Sequence, residues 1–493
     1  MSAVGDCVQP HASGAGRSSN RQPAFSCRAL ANYSPLGGQA ASFLAWMSAV
    51  GLNRLVVYLL QRGSLEACRQ FARDRGQYPG LTFEGGHHSF AYWLPPARFF
   101  SSHPELFALV QGRRVANGQL CLSHPDIVTL VVEAIRRTLS ANPFLAAIGL
   151  WPNDRFGWCE CASCQALYAE RRGRLWPDQP ATSGAYLAFA NQVAERLATT
   201  HPDVTLDLLA YLNYVEPPAT IAPHPGLTLT FAPLLRCLRH AIDDPACPRN
   251  AAYRPLLETW RARWPGSLRV FEYYLLPDHW SAPYPVWETM AADVAYYRAI
   301  GVDGLLVEYR PEEWDIYGLH AYTYARWLND PSEPTSRLLR EFCEGYYQEA
   351  AGPMEEFLAG WSREMRLSTA CFRHLDPASL AAFEPGTLQE AVDQLARAER
   401  SAASAVVRRR IRSLAHSLRQ VGTLQQALAH QAAARDAHAA GRTAEAQRAA
   451  RQALASYEQL LRRGRRLARS GCLYYPRLKE WVASAEAACA ALG

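Results

Sequence analysis

Short apolar runs alternate with longer segments of helical periodicity over the first two thirds of the chain. The runs contain few polar positions, which is typical of parallel strands that are buried on both faces. Eight such strands are predicted, at residues 25–30, 53–60, 81–83, 145–151, 204–211, 227–231, 268–274 and 304–308. Because helical segments lie between them, the order predicts an α/β fold of the (β/α)8 TIM-barrel type.

The strand pattern ends at about residue 335, and only helical periodicity follows. Two prolines within residues 331–334 mark the boundary, and residues 385–493 are rich in Ala, Leu, Gln and Arg. Residues 1–24 are rich in Gly, Ser, Arg and Pro without periodicity, so they are predicted to be disordered. Three regions result: a leader at 1–24, a catalytic barrel at 25–335, and an all-α helical C-terminal domain at 336–493.

Composition and hydropathy limit the kinds of molecule or membrane with which the protein is expected to associate. The net charge of +6 is small for 493 residues, so nucleic acid is not an expected partner, and the basic stretches at 408–410 and 462–466 are interpreted as solvated helix faces. No apolar run reaches the length of a membrane span. No signal peptide is recognisable, which predicts a cytoplasmic location unless the true start lies upstream. The oligomeric state is not predicted.

Acidic side chains stand at the carboxyl ends of three predicted strands. Asp154 follows strand four, Glu272 lies near the end of strand seven, and Glu308 closes strand eight. Barrels of this type have their active sites at this end. Burying a carboxylate without a partner also costs free energy. Glycoside hydrolysis needs two carboxyl groups, so Asp154 is predicted as the acid and Glu272 as its partner, with Glu308 as a third catalytic candidate. The alternative for each is a surface carboxylate or a salt bridge.

Further polar and aromatic residues near the same ends are candidates for binding a sugar. His87 and His88 follow strand three, and only one of them is expected to face the mouth because neighbours in an extended segment point in opposite directions. Asn153 could bind a hydroxyl or acetamido group, or could be a turn residue. Aromatic rings, the usual platforms for sugars, are predicted at Trp151, Tyr211, Tyr273, Tyr309 and Trp314.

The cysteines and the known cofactor motifs predict neither a metal nor a cofactor. Thirteen scattered cysteines in a long chain do not indicate a disulfide scaffold. Residues 159–164 read CECASC and offer three thiolates, whereas a structural zinc ion needs four ligands. A fourth ligand would have to come from elsewhere, for example Cys121, Cys237 or Cys247. Packing or a local disulfide is the favoured interpretation, and no phosphate-loop, dinucleotide, hydrolase-elbow or zincin motif is present.

Several segments resemble a known family. They are GGHHSF, SHPELFAL, GQLCLSHPD, LWPNDRFGWCECASC, LAYLNYVEPP, CLRHAIDDPACPRN, VFEYY and GVDGLLVEY. Over about residues 25–350 the chain resembles a bacterial barrel family first catalogued as a domain of unknown function, which is similar to glycoside hydrolase family 163. The resemblance implies a retaining barrel glycosidase of the endo-β-N-acetylglucosaminidase type that acts on N-glycans. It also implies that Asp154, Glu272 and Glu308 are candidate catalytic residues.

The sequence therefore predicts a glycosidase whose partner is an oligosaccharide or glycoprotein glycan. If the enzyme cleaves a glycosidic bond beside a 2-acetamido group, the acetamido group could serve as the internal nucleophile. Asn153 and Asp154 would then polarise it, and Glu272 or Glu308 would be the acid. The sequence does not choose between these role assignments. Two alternatives stay open: a non-catalytic carbohydrate-binding barrel, and an exo-acting or uronic-acid-directed glycosidase.

Overall fold

The computed structural model of the chain describes residues 22–32, 40–61, 63–73, 78, 80–168, 172–275, 283–309, 313–368, 370–374, 379–380 and 383–469, together with 479, 482–483, 486–487 and 489–491. Most of the predicted leader, residues 1–21, lies outside this part of the chain. No helix among the described residues is long and apolar enough to cross a membrane.

Eight parallel strands close into a barrel. They are β1 (Cys27–Asn32), β2 (Arg54–Tyr58), β3 (Thr82–Gly86), β4 (Leu145–Gly149), β5 (Thr205–Ala210), β6 (Leu227–Phe231), β7 (Leu268–Glu272) and β8 (Gly304–Tyr309). Each strand pairs with the next along the chain, and β8 pairs with β1. This confirms the predicted barrel, including the short third strand.

Long helices connect most of the strands and continue after the barrel. Those within the barrel region are Ala40–Ala49, Ser64–Arg73, Ile127–Ala141, Ser183–Ala198, Pro248–Arg263, Trp287–Ala299 and Trp314–Asn329. The later ones are Thr335–Tyr347, Ala351–Leu367, Pro385–Ser401, Ala405–Ala439 and Thr443–Arg469. The predicted class, a barrel followed by a helical region, is therefore confirmed.

The β3–β4 and β4–β5 connections carry additional short elements. A hairpin pairs Leu109–Val110 with Arg113–Arg114. Single helical turns lie at Phe90–Trp93, Pro96–Phe99 and Ala162–Gln165. Long connections of this kind are common sites of function in barrels.

The barrel interior contains a buried polar layer below its mouth. Arg269 on β7 contacts Glu84 on β3 at 2.8 Å and Asp207 on β5 at 2.7 Å. The Thr230 hydroxyl and the Trp151 indole N–H both donate hydrogen bonds to Asp207, each at 2.8 Å. These bonds compensate the desolvation of the charges. The Trp151 ring extends from this layer to the floor of the mouth.

The region after residue 335 packs directly on the barrel. The Trp361 indole N–H donates to the carbonyl of Pro283 at 2.7 Å, and the Phe372 ring stacks on Tyr284 with centroids 3.5 Å apart. Within the helical region itself, the buried Arg410 guanidinium donates to the carbonyl of Tyr346 at 2.7 Å and joins the helices Ala405–Ala439 and Thr335–Tyr347. The helical region thus covers apolar surface of the barrel.

Candidate active site

β3 and β4 approach closely at their carboxyl ends. A Cβ on Gly86 would lie 2.6 Å from the Cα of Gly149, so the close approach of the two strands requires glycine at this position. The next residue, His87, has a φ of 66°. This left-handed conformation is unfavourable for residues other than glycine and is held by the surrounding structure.

Both histidines reach the mouth as a result of this turn. Their rings meet edge to face with centroids 4.6 Å apart. His87 Nε2 lies 3.1 Å from Glu308 Oε1, and His88 Nε2 lies 3.7 Å from Asp154 Oδ1. The expectation that only one histidine would face the mouth is therefore wrong, because His87 does not continue the extended backbone of β3.

Glu308 is buried and held by hydrogen-bond donors. The hydroxyl of Tyr58, the last residue of β2, donates to Glu308 Oε1. His87 Nε2 lies 2.7 Å from the same hydroxyl, and the rings of Tyr58 and His87 stack with centroids 3.7 Å apart. Sequence reasoning missed Tyr58, although its position at the end of a predicted strand was a usable signal.

Asp154 stands on a loop that Asn153 and Gln119 fasten to the β3–β4 connection. The Asn153 side-chain oxygen accepts from the N–H of Ala91 at 2.9 Å, and its Nδ2 donates to the carbonyl of Gly118 at 3.0 Å. The Gln119 side chain bonds the Asn153 N–H at 2.9 Å and its carbonyl at 2.7 Å. Asn153 therefore positions its neighbour, and these contacts favour the turn alternative over the predicted sugar contact.

Asp154 itself is accessible, unlike Glu308. Its side chain is 62% exposed, whereas that of Glu308 is 8% exposed. The Tyr211 hydroxyl donates to Asp154 Oδ1 at 3.3 Å. Both carboxylates raise the pKa of the Tyr273 hydroxyl, in addition to the larger effect of burial. Both carboxyl groups therefore lie near Tyr273 in the space at the barrel mouth.

Aromatic rings form the floor and one side of this space. Trp151 lies beneath the histidines, with its ring centroid 4.8 Å from that of His87 and 6.0 Å from that of Phe271. Tyr273 stacks on Phe271 at 5.0 Å and on His374 at 4.9 Å. Phe271 lies two residues before Tyr273 and therefore on the same side of the chain, which the sequence could have indicated. His374 comes from the region after the barrel and had no such signal.

Glu272 departs from its predicted placement at the mouth. It is fully buried, accepts a hydrogen bond from Arg236 Nε at 2.9 Å, and is also contacted by the Tyr297 hydroxyl. Side chains alternate along a strand, so Glu272 faces the helix Trp287–Ala299 while its neighbours face inward. The predicted pair of Asp154 and Glu272 is not formed.

Tyr309 and Trp314 also lie away from the mouth. Tyr309 packs with its ring centroid 5.8 Å from that of Phe43, and Trp314 meets Trp46 at 5.0 Å. Because Glu308 faces inward on β8, its neighbour faces the surrounding helices. The predicted role of these two rings as sugar platforms has no support in this placement.

Burial makes both mouth histidines neutral. It lowers the pKa of His87 to about 3 and that of His88 to about 4. His88 Nδ1 donates to the carbonyl of Pro152 at 2.6 Å, so its Nε2 carries a lone pair toward Asp154. His87 has its proton on Nε2, because Nδ1 finds no hydrogen-bond partner among the described residues. That proton points at the Tyr58 hydroxyl and Glu308.

Glycoside hydrolases are among the solved structures that resemble this chain. A GH138 enzyme targeting pectin rhamnogalacturonan II matches with a TM-score of 0.54 and 7% identity over 96% of this chain and 84% of that chain. A family 89 glycoside hydrolase from Clostridium perfringens, solved in complex with PUGNAc, matches with a TM-score of 0.53 and 9% identity over 90% of this chain. This chain spans about half the length of that enzyme, 55%. At such identities the likeness concerns the fold.

Comparison of the amino-acid sequence with known proteins and family models identifies a family. A search of curated proteins found no match. The family model described as "Domain of unknown function (DUF4838)" matches residues 21–358. Since this match covers more than half of the sequence, the chain belongs to the DUF4838 family.

Proposed function

We propose that this protein is a glycoside hydrolase in which Asp154 and Glu308 are the catalytic carboxyl groups. The observation that carries the proposal is their placement. They reach one barrel mouth from β4 and β8, and each contacts one member of a shared pair of neutral histidines. Glycoside hydrolysis requires two carboxyl groups that flank the scissile bond. The fold shared with glycoside hydrolases supports the same reaction class.

Glu308 is assigned as the nucleophile. It accepts a hydrogen bond from Tyr58 and faces the Nε2 proton of His87. Hydrogen bonds of this kind stabilise the ionised form of a carboxyl group and fix its orientation. Little of the side chain is exposed, so the attacking oxygen is held in place rather than moving in solvent.

Asp154 is assigned as the general acid and base. It lies 3.7 Å from His88 Nε2, whose lone pair faces the carboxyl group. Its exposure gives the group access to solvent protons. The Tyr211 hydroxyl orients the same carboxyl group at 3.3 Å. The two carboxyl groups therefore differ in environment, since one is exposed to solvent and the other is buried against hydrogen-bond donors.

The proposed reaction retains the configuration of the sugar. The acid form of Asp154 protonates the glycosidic oxygen as that bond breaks, and Glu308 attacks the anomeric carbon. Asp154 then removes a proton from the water that hydrolyses the glycosyl ester. The aromatic surface of Tyr211, Tyr273 and His374 is suited to the flat faces of a sugar ring.

The proposed class of glycan rests on the sequence resemblance alone. The resemblance to glycoside hydrolase family 163 supports an endo-β-N-acetylglucosaminidase-like action on complex glycans. With a 2-acetamido sugar, the acetamido oxygen would attack the anomeric carbon in place of Glu308, and Asp154 would remain the acid. Asn153 would not bind the acetamide group directly, since both ends of its amide are engaged by backbone groups.

Product analysis by mass spectrometry tests the proposal. The purified protein is incubated with a pool of N-glycoproteins and free oligosaccharides, with Glu308→Gln as the matched inactive variant. Glycans released with one reducing-end N-acetylglucosamine would support endo action. Loss of single terminal sugars would support an exo-glycosidase with the same carboxyl groups. Saturable sugar binding without any cleavage would contradict the proposal and favour a carbohydrate-binding barrel.

A further inference from the structure

Four cysteine sulfurs converge between the β3–β4 connection and the loop after β4. They belong to Cys121, Cys159, Cys161 and Cys164, hereafter the four-cysteine cluster. All four sulfurs lie within 4.8 Å of one another. The sequence offered only three closely spaced cysteines, and Cys121 supplies the fourth from a separate loop.

We propose that the four-cysteine cluster binds one structural Zn²⁺ ion. Four thiolates at about 2.3 Å from a central zinc ion form a tetrahedron with edges of about 3.8 Å. Cys121 Sγ lies 3.8 Å from Cys161 Sγ and 4.0 Å from Cys164 Sγ. A disulfide needs sulfurs about 2.0 Å apart, and all four cysteines are free thiols. The spacing therefore fits a metal better than a local disulfide, which is one of the two interpretations favoured from the sequence, the other being simple packing.

Groups around the cluster are suited to the charge of bound thiolates. The N–H of Leu109 donates to Cys159 Sγ at 3.4 Å, and the Arg114 guanidinium donates to the same sulfur at 3.7 Å. The Ser123 hydroxyl lies 3.1 Å from Cys164 Sγ. Four thiolates around Zn²⁺ carry a net charge of −2, and outer donors of this kind stabilise such a site.

The cluster also lies at a small apolar contact between the two loops. Its buried members form, with Ala108, a small group separate from the main core of the protein. The buried sulfurs and Ala108 contribute only a small apolar area to this contact, so a metal ion would strengthen it. The binding energy of a structural zinc ion supplies folding energy directly.

The metal would act on the candidate active site through backbone geometry. Gln119 lies two residues before Cys121, and its side chain holds Asn153 and the carbonyl of Arg155 at 2.8 Å. These bonds hold the residues immediately before and after Asp154. The proposed ion thus fastens both loops that position this carboxyl group, and it makes no contact with the substrate.

A second group of cysteines provides a control. Cys237, His240 and Cys247 also lie close together. His240 Nε2, however, lies 2.7 Å from the guanidinium of Arg239, which can only donate. His240 must therefore carry its proton on Nδ1 and donate it to Cys237 Sγ at 3.3 Å. No lone pair of His240 is left for a metal, so Cys247→Ser should retain the ion.

Elemental analysis of protein purified under reducing conditions, from cells supplied with zinc, tests the proposal. We expect about one zinc ion per chain, lost in Cys164→Ser and retained in Cys247→Ser. Cobalt exchanged into the wild type should give the thiolate-to-cobalt charge-transfer absorption of a tetrahedral site. Wild-type protein without zinc, or zinc retained in full by Cys164→Ser, would overturn the assignment.

A measurement on the unmodified chain covers the case in which the variant does not fold. The native protein is alkylated with iodoacetamide before and after treatment with a chelator, and its peptides are analysed by mass spectrometry. The four cysteines should be protected together before chelation and alkylated together afterwards. Protection that survives the chelator but not a reductant would indicate disulfides and contradict a metal site.

Discussion

His87 and Glu308 meet at the barrel mouth, with His87 Nε2 3.1 Å from Glu308 Oε1. His87 reaches this position only because its backbone turns into the left-handed region after the glycine contact between β3 and β4. Such a conformation costs roughly 1–3 kcal/mol. The fold therefore tolerates local strain at the point where it positions a carboxylate, a common property of active sites.

The two mouth carboxyl groups are expected to be required for turnover. Asp154→Asn and Glu308→Gln should each lower kcat by roughly a hundredfold or more, since each removes a group that transfers a proton or attacks the sugar. Circular dichroism should show an unchanged fold. Glu133→Gln, an exposed carboxylate on the helix Ile127–Ala141, is the matched control with normal kinetics. Near-normal rates in both mouth variants would remove these residues from the mechanism.

Glu272→Gln should instead affect stability. The substitution removes the negative charge that contacts the buried Arg236 at 2.9 Å, and breaking such a pair costs about 3 kcal/mol or more. The unfolding free energy from urea titration should fall accordingly, while kcat at 25 °C stays within about twofold of the wild type. A stable variant whose kcat is lower by orders of magnitude would restore Glu272 to the catalytic set.

Protein stability should fall in mildly acidic solution because buried histidines must stay neutral. Burial lowers the pKa of His320 to about 4, against about 6.5 in an unfolded chain. Between these values the unfolded state binds more protons than the folded state. The stability contribution is therefore complete above pH 6.5 and is lost as the pH falls toward 4.

The effect can be measured at one residue. For His320 the loss between pH 7 and pH 5 is about 2 kcal/mol. His320→Gln retains a donor for the carbonyl of Tyr284, which His320 Nε2 contacts at 2.6 Å. The variant should show a smaller drop in urea midpoint between the two pH values than the wild type. Equal drops would show that His320 is not the titrating group.

The helical region after the barrel should be required for a stable, complete site. A chain that ends at residue 384 loses the helix Ala405–Ala439, whose buried Arg410 bonds Tyr346. The apolar surface exposed by its removal should cause aggregation, detectable by size-exclusion chromatography. A truncated protein that is active and free of aggregates would show that the region is an independent accessory.

Strand periodicity and strand ends were sufficient to predict the barrel and its mouth. The same alternation explains the errors: Glu272 and Tyr309 lie one residue from inward-facing positions, so a one-residue uncertainty in register reverses the side on which each lies. His87 could not be placed because its conformation depends on a contact between two glycines of different strands. Cys121 and His374 join their sites from distant parts of the sequence, which no local pattern reveals.

The stacking of His374 on Tyr273 also has a consequence for the order in which the protein is made. A ribosome releases the eight strands before it reaches residue 374, so the barrel can begin to close while its mouth lacks one wall. The candidate active site is completed only when translation has moved well past the barrel. A nascent chain with all eight strands outside the ribosome would therefore still lack this wall of the candidate active site.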